Sequence, residues 1–388
     1  MPTKKIKIIT VIGARPQFIK AAAISRAIKT HFSSQIEEVL IHTGQHYDPN
    51  MSDVFFKELE IPKEKYNLNV GSGSHSTQTA KIMLEMEKVL NTEKPTALLL
   101  YGDTNSTIAA CLVAIKMEIP IIHVESGVRS YNKAYPEEVN RLICDHMSSL
   151  LFVPSDAGML SLEKENIIHN NNQYNISPDK PKVYRCGDIM YDNTKYFKEK
   201  ARQRENNVFQ RYNLPNSNII LATLHRPANV DKKETLEDIL RAYNDIIEEH
   251  NYSIILPLHP RTLKSISEIH HLNHYLANNK LHVIPPVSFL DMILLEDSVD
   301  LIITDSGGVQ KEAYFMKKPC LIKLVDTPWP ELLETGTAIE VGSSYNKIME
   351  GASALLKDKD SFTFSELYGD GKASEFICSK IIEAFELN

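Results

Sequence analysis

The feature that most constrains the fold is a repeated alternation of short apolar runs with amphipathic segments. In the first half of the chain the apolar runs cover residues 6–12, 38–42, 97–101, 119–124 and 150–153. The segments that follow the first and third runs, residues 16–29 and 106–115, have the apolar spacing of helices. Short strands that alternate with helices indicate a doubly wound, parallel α/β sheet.

The same alternation begins again in the second half, where the apolar runs cover residues 219–223, 253–258, 281–284, 301–304 and 319–324. A chain of 388 residues is long enough for two domains that each bury a core. We therefore predict Rossmann-like domains over residues 1–180 and 181–368, followed by a terminal helical segment over residues 369–388. The asparagine-rich stretch 166–181 is either an interdomain linker or a surface loop just before one.

Composition limits the classes of function. The chain has 43 basic and 50 acidic residues and a net charge of -7, which argues against a nucleic-acid-binding protein because such proteins need a dominant basic face. A small anionic ligand remains compatible, since a few local cations or a helix N-terminus can hold it. The five cysteines are widely spaced, which favours a reduced cytoplasm over a disulfide framework.

The N-terminal segment predicts a strand rather than a targeting signal. Its basic and apolar residues are interrupted by Arg15, and no small-residue cleavage site follows. No apolar run along the sequence approaches the roughly 20 residues of a membrane span. We therefore expect neither secretion nor membrane insertion.

In open α/β sheets, ligands bind outside the carboxyl ends of the strands, so the residues that follow each strand are candidates for a site. After the first strand, GARPQFIKA combines Gly13, which permits a tight turn, with the fixed cation of Arg15 and a proline that suits the start of a helix. A plain strand-to-helix turn with a surface arginine explains this stretch equally well. Neither the G-x-G-x-x-G fingerprint nor a Walker phosphate loop occurs in the sequence.

Acidic residues follow two strands that should be close in the first sheet. Asp103 follows the third strand in YGDTNST, and Glu125 follows the fourth in HVESGVRSYNKAYPEEVNR, whose loop also carries Glu137 and Glu138. Carboxylates that share a partly desolvated site raise one another's pKa, which suits acid and base chemistry. The simpler interpretations are a helix cap for Asp103 and a favourable helix-dipole interaction for Glu137 and Glu138. We expect Glu137 to belong to the site and Glu138 to be structural.

Cationic residues follow two strands of the second half. LATLHRPANV places His225 and Arg226 directly after a strand, and ILPLHPRT repeats the arrangement with His259 and Arg261. Cationic side chains at strand ends suit phosphate oxygens. We therefore expect these four residues to contact an anionic ligand.

The strongest single signal is LIITDSGGVQKEA. A strand ends there, and Ser306, Gly307 and Gly308 open a helix whose first N–H groups have no intrahelical partner, so that a phosphate can approach the backbone. Glu312 lies one helical turn further on, within reach of ribose hydroxyls. No histidine pair has metal-ligand spacing on a helix that the sequence predicts, so we expect neither a metal nor a cofactor.

Together these motifs resemble the non-hydrolysing UDP-N-acetylglucosamine 2-epimerases. GARPQFIK, TGQH, YGDTNST, HVESGVRS, PEEVNR, LHRP, TDSGGVQKEA and LYGDGKAS occur in that family's order and spacing through nearly the whole chain. The resemblance implies the glycosyltransferase-B architecture, in which two Rossmann-like domains face each other across a cleft and the terminal helix packs back on the first domain. It also implies a homodimer that makes precursors of surface polysaccharides.

The family inverts C2 of a UDP-2-acetamido sugar by eliminating UDP and adding it back after reprotonation. The resemblance assigns the catalytic roles to Asp103, Glu125, Glu137 and His225. It implies that the substrate or its UDP group is contacted by Arg15, Lys20, His46, Arg226, His259, Arg261, Ser306, Gly307, Gly308 and Glu312.

Several positions depart from the usual family motifs. Gln17 stands where a glutamate is usual, Ala228 replaces the glutamate of H-R-x-E-N, and Trp329 stands where many members have arginine. The segment after TGQH, which in many members includes residues of a regulatory substrate site, reads YDPNMSDVFF here. These changes resemble the subgroup that acts on UDP-2,3-diacetamido-2,3-dideoxyglucuronate, which is therefore an alternative substrate.

Three other functions are compatible with the same residues. A glycosyltransferase of this fold would also bind a nucleotide-diphosphate sugar, but it would give the converging carboxylates little to do. A hydrolysing epimerase would release free sugar and UDP. A non-catalytic sensor of nucleotide sugars would keep the phosphate-binding turn and would not need Glu125.

Overall fold

The computed structural model describes residues 5–45, 58–171, 176–267, 269–357, 359 and 361–386, with the side chains of residues 260, 261, 265 and 270 outside that description. The chain forms two compact units. The first comprises Met1–Asn193 and Glu366–Asn388, and the second comprises Thr194–Ser365. The sequence predicted boundaries after residues 180 and 368, whereas the two units meet after residues 193 and 365.

The first unit is built on a parallel sheet of seven strands in the order β3-β2-β1-β4-β5-β6-β7. All of its described pairings are parallel. The strands are β1 (Ile6–Ile12), β2 (Ile36–His42), β3 (Tyr66–Asn67), β4 (Ala97–Tyr101), β5 (Ile121–Val124), β6 (Leu150–Val153) and β7 (Lys182–Arg185). The central strands are buried on both faces, as expected for a sheet covered by helices on each side.

Helices follow most strands of this sheet. They are α1 (Arg15–Ala27), which continues as a π-turn over Ile28–Phe32, α2 (His75–Glu93), α3 (Asn105–Lys116), α4 (Pro136–Met147), α5 (Asp156–Lys164) and α6 (Ile189–Arg202). Apolar residues of α2 and α3 form the core of one sheet face with β1, β2 and β4. The terminal helix α16 (Ala373–Glu386) packs on α1 and β1 of the same unit.

The second unit has a parallel sheet of six strands in the order β10-β9-β8-β11-β12-β13. These strands are β8 (Ile219–Ala222), β9 (Ser253–Pro257), β10 (Leu281–Ile284), β11 (Leu301–Thr304), β12 (Cys320–Ile322) and β13 (Ala338–Glu340). Its helices are α7 (Val208–Tyr212), α8 (Pro227–Val230), α9 (Lys233–His250), α10 (Pro260–Ser267), α11 (Asn273–Leu276), α12 (Phe289–Ser298), α13 (Gly307–Phe315), α14 (Pro330–Glu334) and α15 (Tyr345–Lys357), with a 3-10 turn at His270–Leu272. The apolar faces of α9 and α15 pack on the sheet to form its main core.

All ten predicted apolar runs contain strands, and five of the ten match their residue range completely. The sequence missed β3, β7 and β13, which are short and include polar or exposed residues at the edges of the sheets. Residues 182–185 pair with β6, so the chain continues the first sheet beyond the asparagine-rich stretch.

The five cysteines are free thiols, and most of them are buried. Cys111, Cys144, Cys320 and Cys378 are buried and reduced, and Cys186 is partly buried. Among the described helices, none combines the length and the apolar character needed to cross a membrane.

Candidate functional site

The turn after β1 is held by Gln17 in the first turn of α1. The Gln17 Oε1 accepts hydrogen bonds from the backbone N–H groups of Gly13 at 2.9 Å and Ala14 at 3.1 Å. Its Nε2 donates to the carbonyl of Tyr101 and to the Thr107 hydroxyl, each at 3.0 Å. A single buried amide thus joins the end of β1 to the end of β4 and fixes the backbone on which Arg15 stands.

The same helix brings Lys20 to Glu125. The Lys20 Nζ lies 2.7 Å from the Glu125 Oε1, and each side chain is only 9% exposed. A cation held this close stabilises the ionised form of a carboxylate that would otherwise be costly to bury. The structure therefore places the predicted substrate-contacting Lys20 against the predicted catalytic Glu125.

Glu125 has an unusual backbone conformation. Its φ is 71°, in the left-handed region that non-glycine residues rarely adopt. The hydrogen bonds of Glu125 N–H and Ser126 N–H, both to the Phe152 carbonyl, hold the chain in this turn. Strain of this kind persists only where the surroundings enforce it, and it is typical of functional sites.

The register of β4 and β5 explains why Asp103 and Glu125 are close. Tyr101 pairs with Val124, so that the residues that follow these two leave the sheet side by side. A Cβ built on Gly102 would lie 3.1 Å from the Lys20 Nζ and 3.6 Å from the Glu125 Oε1. Gly102 has a φ of 61°, and its backbone packs against the Lys20–Glu125 ion pair.

Asp103 is tied to α4. Its carboxylate forms an ion pair with Arg141, and its backbone carbonyl accepts a hydrogen bond from the Asn140 Nδ2 at 2.8 Å. Asp103 and Glu125 thus each have a cation beside them. This arrangement holds two carboxylates in fixed positions just beyond adjacent strand ends, where acid and base chemistry would need them.

The two glutamates at the start of α4 differ. Glu138 is buried and accepts hydrogen bonds from the backbone N–H groups of Ser130 at 2.8 Å and Tyr131 at 2.9 Å, which matches the expectation of a structural role. Glu137 is exposed, and in the described part of the chain it forms no ion pair. It lies four residues before Arg141, so both side chains are on one face of α4. Its catalytic role stays a prediction.

In the second unit, β8 and β11 bring His225 to Asp305. Ile303 pairs with Ala222, and the hydroxyls of Thr223 and Thr304 lie 2.6 Å apart just beyond the strands. The His225 Nδ1 is 2.7 Å from the Asp305 Oδ1. Because a carboxylate can only accept, Nδ1 carries a proton and Nε2 is the ring nitrogen left for a ligand. The His225 side chain is 55% exposed.

Asp305 holds the segment that follows β8 through several hydrogen bonds. Its Oδ2 accepts hydrogen bonds from the backbone N–H groups of His225 at 2.9 Å and Arg226 at 3.0 Å, and from the Asn229 Nδ2 at 3.1 Å. Burial alone would raise the pKa of the Asp305 carboxyl, but the His225 hydrogen bond and the charge of Lys323 hold that pKa well below its usual range. Asp305 is therefore a permanent anion that orients His225.

Lys323 lies under this anion and is 1% exposed. Its Nζ donates to the Tyr243 hydroxyl at 2.7 Å. Burial lowers the pKa of Lys323 to about 8, against the opposing attraction of Asp305. The second unit therefore contains a buried cation that the sequence did not reveal.

The turn Ser306-Gly307-Gly308 opens α13 as the sequence predicted. Ser306 is the N-cap residue, but its side chain makes no capping hydrogen bond, so the first N–H groups of the helix remain suited to an anion. Trp329 supports the turn from below, because its Nε1 donates to the Gly307 carbonyl at 2.9 Å. The Lys311 Nζ lies 3.9 Å from the centre of the Trp329 ring.

The other residues predicted to contact the ligand have different environments. The Arg226 Nε donates to the Asp305 carbonyl at 2.9 Å, so this side chain is tied to the strand end. Glu312 is partly buried in α13 beside the Glu296 carboxyl, and burial together with that neighbour raises the pKa of Glu296 well above its usual range. His259 is exposed just before α10.

His46 and the side chain of Arg261 lie outside the described residues.

Four residues that hold the candidate site residues in place were not identified from the sequence. These are Gln17, Arg141, Asp305 and Lys323. Arg141 and Asp305 lie within the motifs PEEVNR and TDSGG, so their position in these motifs was a signal for both residues. Lys323 offered none, because a lysine at the end of an apolar strand usually reaches solvent.

Comparison with known proteins agrees with these observations. The sequence profile of the family described as UDP-N-acetylglucosamine 2-epimerase matches residues 28–382. A UDP-N-acetylglucosamine 2-epimerase homolog from Methanococcus maripaludis is 43% identical over 95% of this chain and 97% of its own length. The UDP-2,3-diacetamido-2,3-dideoxy-D-glucuronate 2-epimerase from Pseudomonas aeruginosa is 40% identical over 96% of this chain and 98% of its own.

A solved structure shows the same likeness. The UDP-GlcNAc 2-epimerase of Methanocaldococcus jannaschii, in complex with UDP-GlcNAc and UDP, superposes with a TM-score of 0.82 at 38% identity and covers 97% of this chain and 99% of its own. The predicted fold class of two doubly wound α/β units of the glycosyltransferase-B type is thereby confirmed. The two sheets, the strand-end motifs and these relatives lead to one conclusion: the chain belongs to the UDP-N-acetylglucosamine 2-epimerase family.

Proposed function

We propose that this protein inverts C2 of a UDP-2-acetamido sugar, converting UDP-N-acetylglucosamine to its manno epimer without net hydrolysis. The observation that carries the proposal is the strained Glu125 at the end of β5, paired with Lys20 and flanked by Asp103 and Arg141. A structural salt bridge would not need a left-handed glutamate at a strand end. Two stabilised carboxylates at such a position suit removal of a proton and its return.

The hydrogen on C2 is not acidic, so direct proton exchange at C2 is not expected. In the proposed path a carboxylate takes the C2 proton while the C1–O bond to UDP breaks, which leaves a glycal-type alkene. A proton is then delivered to the opposite face of C2, and the UDP oxygen bonds again to C1. Atoms and charge balance without an added oxidant or reductant.

The leaving diphosphate needs positive charge and hydrogen-bond donors. The second unit offers the N–H groups at the start of α13, the side chain of His225 held by Asp305, and the buried charge of Lys323. The relative from Methanocaldococcus jannaschii was solved with UDP-GlcNAc and UDP, which supports a UDP-sugar as the ligand of this chain. Glu312 in α13 is the proposed partner of the ribose hydroxyls.

Incubation of the protein with UDP-N-acetylglucosamine in D2O tests the proposed function. Epimerisation should place deuterium at C2 of both epimers with no acceptor present, as read by NMR and mass spectrometry. A glycosyltransferase would leave C2 protonated, and a hydrolysing epimerase would accumulate free sugar and UDP. Either of those results would replace the proposal.

Replacement of Glu125 tests the carboxylate itself. We expect Glu125→Gln to keep the fold, because the amide preserves the shape of the side chain, but to lower kcat by about 10²-fold or more since it cannot accept a proton. UDP binding, measured by calorimetry, should change little. Near-normal turnover of the variant would contradict the catalytic role of Glu125. UDP binding without turnover by the wild-type protein would instead favour the sensor interpretation.

UDP-2,3-diacetamido-2,3-dideoxyglucuronate is the second candidate substrate. It is favoured by 40% identity to the enzyme from Pseudomonas aeruginosa and by Ala228 and Trp329 in place of the residues usual in the family. Assays of both nucleotide sugars at equal concentration decide between them through kcat/KM. Efficient turnover of UDP-N-acetylglucosamine alone would remove the second candidate.

We also propose a homodimer that makes precursors of surface polysaccharides, as the family resemblance implies. Light scattering after size-exclusion chromatography tests the homodimer, for which a mass near twice 44.0 kDa is expected. A mass of one chain at micromolar concentration would contradict it.

A further inference from the structure

A histidine that the proposed reaction does not use lies directly beneath the carboxylates. His123 is in the middle of β5 and is 0% exposed. Its Nδ1 is 2.7 Å from the Asp145 Oδ1, and its Nε2 is 2.8 Å from the Gly102 carbonyl oxygen. A carboxylate and a carbonyl can only accept hydrogen bonds, so the ring faces an acceptor on each side and its Nε2–H donates to the Gly102 carbonyl.

On its Nδ1 side the ring contacts a buried carboxylate that has further partners. Asp145 is buried. Its Oδ2 accepts a hydrogen bond from the Gly127 N–H at 3.0 Å and lies 2.7 Å from the Arg129 Nη1. Burial would raise the pKa of Asp145, but the hydrogen bond and charge of His123 and the charge of Arg129 lower it. Asp145 is thus an anion shared by His123 and Arg129, and Arg129 is in turn paired with Glu165.

The other side of the ring contacts the backbone of the proposed site. Gly102 is held at both ends, because its N–H donates to the Val124 carbonyl at 3.1 Å and its own carbonyl accepts from His123. Gly102 immediately precedes Asp103, and Val124 immediately precedes Glu125. The hydrogen bond from the ring therefore controls the one peptide that links the two carboxylate-bearing loops.

We propose that His123 is a positioning residue of the epimerase: its Nε2–H holds the Gly102 carbonyl and thereby fixes Asp103 and Glu125 relative to each other. This inference rests on the proposed function of the two carboxylates. A displacement of about 1 Å in a reacting group can lower a rate by about 10²-fold, so loss of the clamp should act on kcat. UDP binding involves groups of the second unit and should be unaffected.

Two substitutions separate the two hydrogen bonds of the ring. In His123→Gln the side-chain amide N–H can reach the position of Nε2 and still donate to Gly102, whereas in His123→Asn it can reach only that of Nδ1 and donate to Asp145. We expect the glutamine variant to keep kcat within about tenfold of wild type and the asparagine variant to lose about 10²-fold. The Kd for UDP should change by less than about twofold in both.

Glu165→Gln is the matched control. It weakens the same buried network at Arg129 and leaves both hydrogen bonds of His123 in place, so it should lower Tm while leaving kcat unchanged. Equal kcat in the two His123 variants, or a loss of kcat that simply follows the loss of Tm in all three proteins, would overturn the proposal. Absence of C2 deuteration by the wild-type protein would instead refute the proposed function.

A measurement on the wild-type enzyme does not depend on the folding of any variant. In a protein labelled with 15N-histidine, long-range 1H–15N NMR spectra should show one imidazole whose Nε2 carries a hydrogen that is protected from exchange with solvent. A spectrum in which no histidine has such a protected Nε2–H would also overturn the proposal.

Discussion

At the scale of single residues, the site depends on buried polar side chains in which each polar atom has a hydrogen-bond partner. Asp305 accepts three hydrogen bonds through one oxygen and orients His225 through the other. The Gln17 amide uses both its oxygen and its nitrogen to join two strand ends. Such groups are costly to change because their partners remain buried.

Replacement of Asp305 should reveal the tautomer that His225 uses. In Asp305→Asn the negative charge is lost and the amide nitrogen can turn toward the Nδ1 of His225, which favours the tautomer with the proton on Nε2. We expect kcat to fall by about 10²-fold or more. Steady-state kinetics with Asn229→Ala as control measures this, since that variant removes a neighbouring hydrogen bond and keeps the anion. Equal losses in the two variants would contradict the orienting role.

Conversion of Gln17 to the glutamate that is usual in the family should be harmful here. A carboxylate can accept from Gly13 and Ala14, but it cannot donate to the Tyr101 carbonyl. We expect Gln17→Glu to lower the free energy of unfolding by about 1–3 kcal/mol at pH 7, as urea denaturation would show. Unchanged stability would mean that the hydrogen bond to Tyr101 contributes little.

At the scale of elements, the C-terminal end of α2 is attached to two strands through Glu93. Its carboxylate pairs with Lys7 of β1 and with Lys65 at 2.7 Å, and it accepts a hydrogen bond from Tyr66 of β3. The hydrogen bonds from Lys65, Lys7 and Tyr66 lower the pKa of Glu93 to about 2. The Glu93 side chain is 4% exposed, so these interactions are little screened by solvent.

The low pKa of Glu93 predicts how stability changes with pH. A carboxyl whose pKa falls on folding stabilises the protein above its unfolded value of about 4.5, and this contribution disappears as the pH falls toward 2. Glu93→Gln should therefore cost on the order of 1–2 kcal/mol at pH 7 and progressively less below pH 4.5. Urea denaturation at pH 7, 5 and 3.5 measures the difference, and a pH-independent deficit would contradict this origin.

At the scale of the whole molecule, ligand binding should be coupled to global stability. A ligand that binds only the folded state adds about 2.7 kcal/mol to the free energy of unfolding at 100 times its Kd. UDP should therefore raise Tm if the start of α13 binds its phosphates. A Cβ on Gly308 would meet its nearest neighbour at 3.9 Å, so a side chain fits there without strain.

Two substitutions of Gly308 test this coupling by calorimetry. Gly308→Asp places a negative charge at the helix N-terminus where a phosphate is expected, and it should abolish the UDP-dependent rise in Tm. Gly308→Asn has nearly the same shape without the charge and should keep part of the rise. If both variants keep the full shift, the phosphates bind elsewhere.

Much of the architecture could be predicted from local pattern. Buried parallel strands are short apolar runs, so β1, β4, β6 and β11 were located to the residue. The edge strand β10 was also located, but the edge strands β3, β7 and β13 lack that pattern. The candidate residues could be found because ligand groups in this architecture follow strand ends. Their partners could not, because Lys20 and Glu125 are 105 residues apart and only the sheet order brings them together.

The sequence by itself determined two doubly wound α/β units, the membership of one family, and which strand ends carry acidic and basic groups. Those features depend on apolar periodicity and on motifs of adjacent residues. Only the tertiary structure decided that Glu125 has a left-handed backbone conformation and pairs with Lys20, and that His123 bridges Asp145 to the Gly102 carbonyl. The physical reason is that charge state and orientation of a buried polar group depend on partners distant in the chain.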